Sequence, residues 1–189
     1  MRTEAGVAAV LCLRLLAAEA HAAVVERIVA VVDGRPLLLS EVLVLQTVKG
    51  VAQPAAVEAL IDERLMFVEA SRLPQSAVSA EEDEAAVANM TGVAGDRARG
   101  LLMEGIRTMA HREAVILKYV RFRFLPQIRV EDAAVRKAYE SDPGKDAGTA
   151  SLEDAAPGLR QRLVERELDL RIESWVKELR GSAQIRYNP

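Results

Sequence analysis

Few side chains in this sequence have types and spacings suited to chemistry at neutral pH. There are two histidines, His21 and His111, and one cysteine, Cys12. One cysteine and two distant histidines do not give the Cys/His spacing of a structural zinc site, which takes four such ligands. His111 stands beside Arg112 on a polar helix face and reads as a surface residue rather than a catalyst. Gly92, Gly95 and Gly100 follow no strand, and no nucleotide-binding glycine loop or G-x-S-x-G elbow occurs. The acidic pairs Asp62/Glu63 and Glu81/Glu82 fall on a helix face and at a helix start, where solvation and capping account for them. No catalytic residue, metal ligand or cofactor is therefore expected, which leaves binding.

Charge narrows the choice of partner. The formal net charge is −3, too mildly acidic to favour nucleic acid or an anionic membrane. Arg112, Lys118, Arg121, Arg123 and Arg129 gather around one predicted helix end. Cations are favoured there by the helix dipole, so a solvated face is the expectation.

The elements that would position any site are mainly helical. Half of the residues (50%) are hydrophobic and only 4% are aromatic, which predicts helices closed over an aliphatic core. Val24–Val32 and Pro36–Leu39, separated by Asp33-Gly34, read as a β-hairpin. Two strands alone are marginal in water, so a third should complete them. The alternating tail Ala183–Tyr187 is the candidate. Between these ends, Ser40 stands as an N-cap for a helix to about Val48. Pro54 opens a central helix through Leu73, with Val57, Leu60, Ile61, Leu65 and Val68 as its buried stripe. Ser79 and Glu82 form a capping box for a helix to about Met90. A loop is expected until Leu101, then a long helix to Phe124 with Ile106, Met109, Leu117, Val120 and Phe124 on one face. Val130–Glu140 is a short helix, and Ser141–Gly158 reads mainly as linker, with Ser151–Ala155 able to form a brief turn of helix. The last helix spans Leu159–Arg180 and ends at Gly181.

Residues 1–22 carry the features of a secretory signal: Arg2, an apolar stretch Val7–Ala18 and the small residues of Ala20-His21-Ala22. Cleavage is predicted after Ala22, which would remove Cys12 and His21. Arg2 and Arg14 balance Glu4 and Glu19, so the remaining chain keeps its net charge. That remainder would hold no cysteine, and stable membrane insertion is not expected, because no run reaches the roughly 20 apolar residues a spanning helix needs.

Five stretches, in order, resemble the N-terminal core domain of the SurA-type periplasmic chaperones. They are IVAVVDGRPLLLSEV, ALIDERLMFVEASRL, VSAEEDEAAV, REAVILKYVRFRFLPQIRVEDAAVRKAYE and RLVERELDLRIESWVKELRGSAQIRY. The resemblance implies a helical core domain over 23–140, with a C-terminal helix and strand, 159–189, packing back onto it. It places the usual isomerase insertion point at 141–158, far too short for a folded domain of at least about 50 residues. The implied activity is that of an ATP-independent periplasmic holdase without isomerase function. Its clients would be unfolded polypeptides, chiefly outer-membrane proteins, and a homodimer is possible on these grounds. A dedicated envelope-assembly or secretion protein serving one partner is the alternative, and an isomerase-family member relying on a partner chain for catalysis is a third. Flexible methionines suit promiscuous surfaces, so Met90, Leu101, Leu102 and Met103 are the candidate client cradle.

Overall fold

A computed structural model of the protein describes residues 26–99, 101, 103–141 and 151–188. The predicted leader, residues 1–22, lies outside the described residues, as do Leu102 and residues 142–150 of the predicted linker. The described chain is mainly helical with one small antiparallel sheet.

Strands β1 (Ile28–Val32) and β2 (Arg35–Leu38) form the hairpin, pairing Val32 with Arg35 and Val31 with Pro36. Its tip is Asp33 and Gly34, at φ 49° and 77°, the two successive left-handed residues of a tight hairpin turn. Strand β3 (Ile185–Tyr187) pairs antiparallel with the other edge of β1, Val32 opposite Ile185 and Ala30 opposite Tyr187. The order is β2-β1-β3, so the C-terminal strand completes the hairpin as the tail pattern predicts. Asp33 adds a lock: its backbone N–H donates to Gln184 O at 2.9 Å, and its carboxylate accepts from Gln184 N at 2.7 Å.

Helices α1 (Leu39–Lys49), α2 (Gln53–Ala70), α3 (Ala80–Ala94), α4 (Met103–Arg123), α5 (Asp132–Ser141) and α6 (Leu152–Ser182) follow. One core, made wholly of aliphatic side chains and methionines, joins Val32 and Leu37 of the sheet to Val42, Val48, Leu60, Ile61, Ile106 and Met109. Here α4 comes so close to α1 that a Cβ on Gly105 would stand 2.9 Å from Val44 Cγ2. A second, aromatic core lies between α4 and α6, where Trp175 stacks on Tyr119 at 4.8 Å and meets the edge of Phe124 at 5.5 Å. Helix α6 is also clamped to α2. Arg180 bonds the Asp62 carboxylate and, at 2.9 Å, that of Glu58, which accepts a further bond from the Tyr187 hydroxyl at 2.9 Å. These hydrogen bonds hold the guanidinium well above its ordinary pKa.

Several boundaries differ from expectation for identifiable reasons. Ser40 is not an N-cap: the helix starts one residue earlier, and the Glu41 carboxylate reaches back to Leu38 N at 3.1 Å. Helix α3 continues past Met90 and through Gly92 until Gly95 takes a positive φ. On α4 Ile106, Met109 and Val120 face inward as expected, joined by Val115 and Ile116, whereas Leu117 is exposed. The second part of the expected linker is helical. Ser151 Oγ accepts from Asp154 N at 3.3 Å and so caps α6, which runs through Pro157 and Gly158. The proline forfeits the bond its missing N–H would have made to Glu153 and crowds that carbonyl with its ring.

Candidate functional site

An open, predominantly apolar concavity lies between α3 and α4. Helix periodicity places Asp83, Glu84, Val87 and Ala88 along one side and Glu104, Arg107, Thr108, His111 and Arg112 along the other, while Phe67 of α2 contributes from below. The cleft has a volume of about 580 Å3, within the usual 300–1,000 Å3 of ligand sites. The capping box at its entrance forms as predicted, with Ser79 N donating to Glu82 at 2.8 Å and Glu82 N to Ser79 Oγ at 3.2 Å.

His111 and Asp83 join the two walls through an Nδ1–Oδ1 contact of 2.8 Å, and the Phe67 ring lies edge-on to the imidazole at 6.1 Å. His111 is therefore a paired wall residue, and the pairing fixes its ring. Thr108 is the one hydroxyl among the lining residues. Chemically, the cleft offers apolar floor area surrounded by charges of both signs.

Arg112 lines the cleft while its guanidinium is engaged by part-buried acids. Its Nη1 donates to Glu41 Oε1 at 2.8 Å, the same oxygen that accepts from Arg64 Nη2 at 2.7 Å. Glu63 completes the group, 3.6 Å from Arg112 Nη1, with its side chain only 14% exposed. Its Oε1 and Arg64 Nε lack hydrogen-bond partners. Burial pushes the Glu63 carboxyl up from 4.5 to about 7, against the opposing pull of Arg112 and Arg64. Desolvation also lowers the Arg64 guanidinium. The expectation of solvated charge therefore fails for Glu63 and Arg112, and Asp62 too is engaged, by Arg180. Lys118 is likewise tied down, to Glu82 at 2.8 Å and the Ala77 carbonyl at 2.6 Å. Arg121, Arg123 and Arg129 do face solvent.

Three of the four cradle candidates are described, and they differ in exposure. Met90 is buried in the aliphatic core and touches the surface only as the floor of a groove of about 140 Å3 beside exposed Val93 and Leu117. Leu101 is half-buried against that core, and Met103 is 47% exposed at the start of α4. Leu102 is outside the described residues. Phe67, Val87 and Ala88 were not among the candidates read from the sequence, although Val87 and Ala88 sit within two turns of the capping box. Among the described residues, no cluster of three or more His, Cys, Asp or Glu side chains is placed to hold a metal ion. No described helix is long and apolar enough to cross a membrane.

No protein-family model matches the chain, and no curated protein is significantly similar to it in sequence.

Proposed function

We propose that the protein is a periplasmic, ATP-independent holdase that binds unfolded outer-membrane or secreted proteins without isomerising their prolines. The observation that carries this reading is the open α3–α4 cleft, an apolar floor with a charged rim on a firmly packed scaffold. The five stretches resembling the SurA-type core domain support it independently. Each client side chain fully buried there is worth on the order of 1.5–3 kcal/mol. Ordering a flexible chain offsets much of that gain, so capture is modest in affinity and release needs no nucleotide. The charged rim keeps the unoccupied cleft soluble and contacts the client backbone.

The test uses residues 23–189 and an outer-membrane β-barrel protein diluted from urea. Stoichiometric protein should suppress aggregation, while a proline-peptide assay stays at the uncatalysed rate. Ala88→Arg, which places a charge on the exposed cleft wall, should remove most of the suppression while the helical circular dichroism signal is kept. Full suppression by the variant would place client binding elsewhere. Folded protein that suppresses nothing would end the holdase reading.

A further inference from the structure

Helix α5 packs chiefly against the first half of α6, and the two form an arm whose buried apolar residues are few: Val135 and Leu159. Arg160 pins the pair through Asp132 at 2.5 Å. Two helices cannot enclose both of their apolar stripes, and the exposed remainder here is a groove of about 450 Å3. Its floor is Ala134 and Ala138 of α5 and Leu159 and Leu163 of α6, each pair one turn apart. Its rim is Lys137, Arg162 and Arg166, with Ser141 at one end and no carboxylate among the described lining residues. Of the nearby acids, Asp132 is committed to Arg160, and Glu165 accepts from Gln161 at 2.9 Å. Lys137 and Arg166 form no ion pair among the described residues.

We propose that this groove is a docking site for an acidic amphipathic helix of a partner protein, one carrying carboxylates on both sides of an aliphatic stripe. Small residues on α5 let a third helix approach closely. The leucines one turn apart on α6 provide the ridge against which its stripe seats. Lys137 of α5 and Arg166 of α6, one from each helix, meet the flanking carboxylates and fix the partner's orientation. This surface is separate from the α3–α4 cleft, so it stands whether or not that cleft holds unfolded chains.

The experiment measures fluorescence anisotropy of two labelled synthetic helices sharing one leucine stripe, flanked by Glu in one and by Lys in the other. The full protein should bind the Glu helix and leave the Lys helix essentially unbound. Charge reversal in Lys137→Glu/Arg166→Glu should weaken the Glu helix about tenfold or more, since exposed attractions become repulsions. Ala138→Trp, which fills the groove without changing charge, should weaken it as well, with circular dichroism confirming that both variants are folded. Equal binding of the two helices, or indifference to the reversal, would overturn the proposal. So would binding of phosphatidylglycerol vesicles with no binding of the Glu helix, an outcome that assigns these cations to a lipid surface.

Discussion

Glu63 gives the sharpest quantitative test of the buried charge cluster. Its carboxyl is raised from 4.5 to about 7, chiefly by burial. Between those two values the folded protein binds a proton that the unfolded chain has released, so stability falls as pH rises through the window. Below it the acid is neutral in both states, and above it the folded protein carries the whole cost of a buried carboxylate. At about 1.4 kcal/mol for each pH unit, a gap of two to three units is on the order of 3 kcal/mol. Glu63→Gln keeps the shape and removes the ionisation. Urea unfolding should therefore find the variant close to the parent at about pH 5 and more stable by on the order of 3 kcal/mol at about pH 8. Subtracting the two proteins at each pH cancels the titrating groups that do not interact with Glu63. A difference that does not change with pH would refute the reasoning. A variant that is relatively less stable at the higher pH would show that Arg64 and Arg112 outweigh desolvation.

Other perturbations follow from single contacts. Gly105→Ala should destabilise by about 1–3 kcal/mol through overpacking on Val44, despite a helix-propensity gain of about 1 kcal/mol, and Val44→Ala should restore much of the loss in the double variant. Arg180→Ala leaves Asp62 and Glu58 without their cation and should cost about 1–3 kcal/mol, with faster amide exchange in β3 as the local sign. Trp175→Ala should cost about 3–5 kcal/mol in chemical denaturation by emptying the space between Tyr119 and Phe124.

Local patterns made much of the fold legible. Asp33-Gly34, the Ser79/Glu82 box and the alternation of Ala183–Tyr187 each act through nearby backbone, and each appears as read. The start of α1 was misplaced although its signal is local: the Glu41 carboxylate, three residues on, bonds Leu38 N, so the cap lies at Leu38 rather than at the more cap-like Ser40. The buried charges had a visible signal: Arg64 lies one turn beyond Leu60 and Ile61, inside the apolar stripe of α2. A cation at such a position requires an anion from another element, and periodicity cannot say that Glu41 provides it. The cleft was harder still to foresee. Its walls are ordinary amphipathic helices, and the gap between them exists only because Phe67, His111 and Asp83 hold them in place.

The position of β1 at the centre of the sheet bears on how the chain reaches its native state. One neighbour, β2, follows after a two-residue turn, whereas Gln184, at the threshold of the other, is 151 residues from Asp33. The local hairpin can form within microseconds, but the long closure is entropically costly and comes late. During synthesis the second edge of β1 therefore stays unpaired until nearly all of the described chain has emerged, a template open to any passing strand. The last step of folding is thus the one that removes the protein's own most adhesive edge.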